Sequence, residues 1–176
     1  MCITLTSYTI THTLLCPNEI EQEMWTKKLK KYTVQTDFHK DYLTEKLLGR
    51  GSFSKVYNGY KRNKRKQVAI KTIRKCNMQD NESFFDTTLN EINILRLTKH
   101  PNIIKLYAVY ESHKHVNFIF EYMEHGTLAD YIKKTGKPMS IPVALKVLAR
   151  LLEILSYLHK MGIVHRDLKP ENIFIQ

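Results

Sequence analysis

Val68-Ala69-Ile70-Lys71 places the tightest constraint on what this chain can fold into. The run has the texture of a strand, and alternation puts Ala69 and Lys71 on one face. A lysine on an otherwise apolar strand face requires an anion, because burying it unpaired is strongly unfavourable. Phosphate would serve, and so would a carboxylate. The stretch "NESFFDTTLNEINILRLT" reads as a helix with Phe85, Leu89 and Ile92 on one face. It offers Glu91, with Leu95 one turn further along the same side. Taken alone, Lys71 is as readily a side chain that snorkels from a sheet edge.

Gly49-Arg50-Gly51-Ser52-Phe53-Ser54-Lys55-Val56 precedes that strand and lies between two predicted strands of its own. Glycines there let the backbone approach a ligand closely and present N–H groups to phosphate oxygens. It is not a Walker loop, since no GK[ST] follows and no helix begins. By itself such a turn is more often a plain hairpin. Near the other end stands His165-Arg166-Asp167-Leu168-Lys169-Pro170-Glu171-Asn172, an octapeptide that a random chain would rarely show. Asp167 could accept a hydroxyl proton or orient a nucleophile, Lys169 could steady a transferring phosphoryl group, and Asn172 could hold a metal ion. Pro170 stiffens the loop that spaces them.

The remaining texture is strand-rich, then helical. "YLTEKLLG", "SKVYNGYK", "KQVAIKTIR", "IIKLYAVY" and "VNFIFEYM" read as strands, with "HPNI" as a turn before the last two. "TLADYIKK" and "IPVALKVLARLLEILSYLHKMG" read as helices. In the second, Ala144, Leu148, Leu151, Leu155 and Leu158 form a continuous apolar stripe. The net charge of +11 lies wholly beyond residue 38, which favours an anionic partner or a basic solvated surface. "KRNKRK" at Lys61–Lys66 has a nucleic-acid look, but it falls at a turn between strands and reads as a solvated tip. Three unclustered cysteines, with no CxxC and no nearby His pair at metal spacing, argue against a disulfide framework and a zinc site, and they point to a reducing, cytoplasmic compartment. No apolar stretch reads as a membrane span, and the N-terminus does not read as a targeting segment.

Residues 1–35 read as a unit of their own. "CITLTSYTITHTLL" predicts two short strands joined by a turn, and "PNEIEQEMWTKKLKKY" predicts a helix capped by Asn18. Trp25, Leu29 and Tyr32 are expected to form its buried stripe. A hairpin and a closing helix with a buried Trp resemble the C-terminal end of a pleckstrin-homology domain. That resemblance implies lipid or membrane contact through a partner domain; the alternative is an extension packed on the next domain. Residues 36–41 read as a polar connector.

GxGxFxxV, VAIK, a helical Glu, HPNI and HRDLKPEN, in this order, resemble the eukaryotic protein kinases, over Tyr42 to Gln176. Lys169, two positions after Asp167, is similar to the serine/threonine branch. The resemblance implies an α+β, two-lobed fold: a complete small lobe of antiparallel sheet plus one helix, and the first helices of a large lobe. It implies ATP and Mg²⁺ as cofactors and protein Ser/Thr hydroxyls as acceptors, with nucleic acid an unlikely partner. Gly49, Gly51 and Val56 would cover the nucleotide, and Ala69 and Phe174 would sandwich adenine. Glu121 and Met123 would offer it backbone hydrogen bonds beside a Phe120 gatekeeper. Lys71 would hold the α/β-phosphates while pairing with Glu91, and Leu95, Leu106 and His165 would stack between the lobes. Asp167 would be the base, Lys169 its phosphoryl partner and Asn172 the metal ligand. Ser54 replaces the third glycine of the family loop, and no D-F-G follows Asn172. The sequence therefore predicts a poor catalyst as written: a piece of a longer active kinase, a kinase-like binding module, or a lipid- or nucleic-acid-binding module on a decayed kinase core. It gives no oligomeric state.

Overall fold

The computed structural model describes residues 1–6, 10–30, 32–75 and 82–175, the side chains of 82–85 excepted. Its centre is a six-stranded sheet. Strands β4 (Tyr42–Arg50), β5 (Ser54–Lys61) and β6 (Lys66–Arg74) form an antiparallel meander, and β8 (His115–Glu121) pairs with β6 on one side and β7 (Leu106–Glu111) on the other. The spatial order is β3-β7-β8-β6-β5-β4, where β3 is Val34–Gln35. Helix α3 (Glu82–Leu97) connects β6 to β7, and α4 (Leu128–Thr135) and α5 (Ile141–Lys160) follow the sheet.

Strand β8 is central and buried on both faces, which is why "VNFIF" is nearly all apolar. Val116, Phe118 and Phe120 face one way and pack with Ile73, Val109 and, from α3, Ile92. Ile119 faces the other way, with Val68, Ile70, Tyr110, Phe38 and Tyr42. The one polar residue in that run, Asn117, accepts a hydrogen bond from the Thr72 hydroxyl at 2.8 Å, so its burial carries no unsatisfied acceptor. On α3 the expected Leu89 is half exposed, while Thr88 and Ile92 are buried; Phe85 lies outside the described side chains.

The end of the unit read as residues 1–35 and the connector read at 36–41 both make contact with the sheet. Val34 and Gln35 pair in parallel with Val109 and Tyr110, so the sheet is not purely antiparallel. The short helix α2 (Phe38–Asp41) buries Phe38 against the Tyr42 and Tyr110 rings, at centroid distances of 6.1 and 5.8 Å. One aromatic residue inside a polar run is too short a signal for periodicity to register.

Ahead of it, β1 (Cys2–Thr6) and β2 (Thr11–Leu15) form the expected hairpin, and α1 (Glu19–Leu29) begins at Asn18, whose side chain accepts the Glu21 N–H. The expected buried stripe is absent: Trp25 is 44 % and Tyr32 72 % exposed. A two-stranded hairpin offers too little surface to cover a helix, and Trp25 is instead capped by the Lys28 ammonium, 5.0 Å from its ring. The α5 stripe is likewise covered only at its C-terminal end, where Leu158 is buried; Ala144 and Leu148 are exposed. "KRNKRK" forms the β5–β6 turn, as expected. Among the described residues no helix is long and apolar enough to cross a membrane.

Candidate active site

The sheet register collects the sequence-predicted residues into one row. Gly49 on β4 lies opposite Val56 on β5, Val56 opposite Lys71 on β6, and Lys71 opposite Phe118 on β8. Residues directly opposite one another share a face, so Gly49, Val56 and Lys71 look out on the same side. One step along, Ala69 lies opposite Phe120. Lys71 Nζ sits 2.7 Å from Glu91 Oε1 and 5.5 Å from the centroid of the Phe118 ring. The anion that Lys71 demands is thus a carboxylate from α3, held in place by Ile92 and Leu95 packing on the sheet.

The turn between β4 and β5 is closed by the Gly51 N–H donating to the Ser54 carbonyl at 2.8 Å. A Cβ placed on Gly49 would meet nothing within 4 Å. Packing does not explain the absence of a side chain at Gly49. The open side of that residue is room into which a phosphate chain could approach the backbone.

The second half of the candidate site is the loop 165–172. Arg166 takes a left-handed conformation (φ 63°), which turns the chain so that Asp167 and Lys169 meet. Lys169 Nζ lies 2.8 Å from Asp167 Oδ1, and the Asn172 amide nitrogen donates to both Asp167 O and Oδ2, at 2.8 and 2.9 Å. With the nitrogen so engaged, the amide oxygen is the Asn172 atom left to ligate a cation. These bonds, that from Lys169 foremost, hold the Asp167 carboxyl below its ordinary range, and the same bond raises Lys169. A depressed carboxylate contributes fully above its ordinary pKa and loses that contribution as pH falls through the lowered value. The Asp167 carboxyl carbon signal should therefore titrate in NMR spectra with a midpoint below about 4, the ordinary value for Asp. A midpoint above that would contradict the assigned contacts.

The strand that follows is pinned beside the segment leaving β8. Leu128 N–H donates to the Ile173 carbonyl at 2.7 Å and Ile175 N–H to Gly126 at 3.0 Å, which pairs Phe174 with Thr127. Sequence reasoning missed this tie. Its signals are Gly126 at φ 72° and the capping box Thr127/Asp130 that starts α4. Met123 closes a turn through its carbonyl to the Gly126 N–H (3.3 Å), while the Glu121 carboxylate accepts the Lys105 N–H at 2.7 Å. Phe120, Leu95 and Leu106 join the apolar cluster on the α3 side, but His165 is exposed; its Nδ1 accepts the Asp167 N–H. A second tie joins the turn after α3 to α5, where Tyr157 Oη accepts the Lys99 N–H at 2.8 Å and its ring lies 5.1 Å from that of His100.

A family model described as the protein kinase domain matches residues 42–176. The chain belongs to this family. The chain is similar to the meiosis-specific serine/threonine-protein kinase mek1 of Schizosaccharomyces pombe, 40 % identical over 153 residues, covering 83 % of this chain and 33 % of that protein. It is also similar to CBL-interacting serine/threonine-protein kinase 16 of Arabidopsis thaliana, 34 % identical over 76 % of this chain and 28 % of that one. Calcium/calmodulin-dependent protein kinase type 1 of Macrobrachium nipponense is 40 % identical over 75 % of this chain and 37 % of its own length. The chain thus spans about a third of the length of the curated relatives it matches. Among the described residues no three His, Cys, Asp or Glu side chains gather as a metal site. Asn172 fits Mg²⁺ only as one ligand to an ion carried in with phosphates, which is how Mg²⁺ is commonly held.

Proposed function

We propose that the chain binds Mg·ATP across the Gly49–Val56–Lys71 row, and that the whole protein transfers the γ-phosphoryl group to a Ser or Thr hydroxyl of a protein. The Lys71–Glu91 pair carries this reading. It is a charge held at a fixed point on an apolar face, in the same cross-strand row as a glycine with open space, and phosphoryl transfer is largely a matter of such positioning and electrostatics. Val56 and Ala69 would contact one side of the adenine and Phe174 the other. Backbone groups of Glu121 and Met123 would read its edge, and Lys71 would hold the phosphates. Bound Mg·ATP supplies the activated phosphoryl group and screens its charge.

Asp167, ionised throughout the neutral range, would accept the hydroxyl proton's hydrogen bond and aim the oxygen. Its lowered pKa makes it a weak base, which suits a loose transition state that asks for little proton removal before bond cleavage. Lys169 would turn from Asp167 to the transferring group, and its side chain is exposed enough to do so.

The test is a titration with trinitrophenyl-ATP and Mg²⁺, displaced by unlabelled ATP. Saturable binding with a Kd on the order of 1 μM–1 mM is expected, the usual span of substrate affinities. Gly49→Val should weaken binding about tenfold or more at an unchanged melting temperature, because its side chain enters open space. Binding to Gly49→Val as tight as to the parent, or no displaceable binding at all, would refute the proposed site.

A further inference from the structure

We propose that Arg96 is a positioning residue, which sets the orientation of α3, and through it the Lys71–Glu91 pair, by clamping the helix to the strap formed by residues 32–41. Arg96 is five positions after Glu91, which rotates it by about 140° and lifts it about 7.5 Å along the helix. Glu91 can therefore face the sheet while Arg96 faces elsewhere. The Arg96 guanidinium donates to the Thr33 carbonyl at 3.1 Å, immediately before the two residues of β3. It is partly buried, and burial lowers its pKa. The bond to the Thr33 carbonyl offsets part of the cost of that burial.

The strap to which it is tied is anchored along its whole length. Val34 and Gln35 pair with β7, and Phe38 is buried among aromatic rings. At the far end, Asp41 accepts the Tyr110 hydroxyl at 2.5 Å and the Lys30 ammonium at 3.3 Å. Burial pushes the Asp41 carboxyl up, but Tyr110 and Lys30 outweigh it and hold it ionised. Its carbonyl takes the Arg62 N–H at 2.9 Å, and Arg62 Nε donates to His39 O at 2.8 Å. The strap is thus tied to the sheet that carries Lys71, through β7 and β8 to β6, and Arg96 joins that sheet-bound segment to the helix carrying Glu91.

The affinity arm of the test rests on the nucleotide reading above; the exchange arm does not. Amide hydrogen exchange is followed in the parent, Arg96→Ala, Val34→Pro (which disturbs the two-residue pairing of the strap with β7) and the double variant, alongside the trinitrophenyl-ATP titration. Each single variant should raise exchange at residues 88–97 about tenfold with β6 and β8 unchanged. Each should also weaken Mg·ATP binding on the order of 5–10-fold. The double variant should be no worse than the stronger single, because both cut the same link. Additive effects would mean that Arg96 acts alone, through the helix dipole, and would overturn the proposal. So would unchanged exchange in α3, or protection lost equally across β6 and β8. If the parent binds no nucleotide, the site assignment fails, and the exchange pattern still decides for or against the clamp.

Discussion

Lys71→Ala is expected to weaken Mg·ATP binding about 10–100-fold while leaving the fold intact. The lost contact is a charge-assisted one to phosphate, and hydrogen bonds to charged groups contribute roughly 1.5–3 kcal/mol. The structural cost is small for a specific reason. The Lys71 and Glu91 side chains are 27 % and 36 % exposed, so Glu91 left alone is still reached by water. Pairs at such positions contribute about 0–1 kcal/mol to stability. Glu91→Gln should reproduce part of the affinity loss, since it frees Lys71 to wander without removing its charge. Calorimetric titration with Mg·ATP, beside a thermal melt of each variant, separates the two effects. Affinity retained in Lys71→Ala at full stability would remove Lys71 from the nucleotide site.

What the sequence reveals of this arrangement, and what it conceals, follows from the range of each signal. Lys71 and Glu91 were legible because an unpaired charge on an apolar face is a local contradiction that a nearby helix can resolve. The Gly49–Val56–Lys71 row was half legible: alternation gives the face of each strand, but only the cross-strand register puts the three in line. The strap was illegible. Two ladder residues and one buried Phe38 make no period, and the polar residues around them read as linker. Arg96 reads from sequence as an ordinary basic residue in the last turn of a helix; its partner is a backbone carbonyl, which no side-chain pattern announces. The α1 stripe failed for the opposite reason. Trp25, Leu29 and Tyr32 have helical spacing, but spacing states which residues share a face and not whether anything covers it.

The same distinction between a residue's pattern and its surroundings predicts opposite outcomes for two glycines of the β4–β5 pair. Gly59 on β5 lies against β4 where the ladder is irregular, with register shifts between Thr44 and Gly49. A Cβ there would fall 2.3 Å from the Leu43 carbonyl oxygen and 2.4 Å from Ile70 Cδ1. Ile70 is fully buried in the cluster containing Phe38 and Tyr110, so it has nowhere to retreat, and the Leu43 oxygen belongs to the neighbouring strand's backbone. Gly59→Ala must therefore part β4 from β5 or displace Ile70. Overpacking of this kind costs about 1–3 kcal/mol, which for a chain of this size lowers the melting temperature by roughly 2–12 °C. Whatever nucleotide affinity remains at temperatures where the variant is folded should lie close to the parent's, since Gly59 is not in the phosphate-facing row. Gly49→Val should show the reverse, parental melting with lost affinity. A melt of Gly59→Ala that superimposes on the parent's would mean that β4 yields freely at that point. Gly49 is carried by the same strand, and the rigid cradle inferred from it would fall with that result.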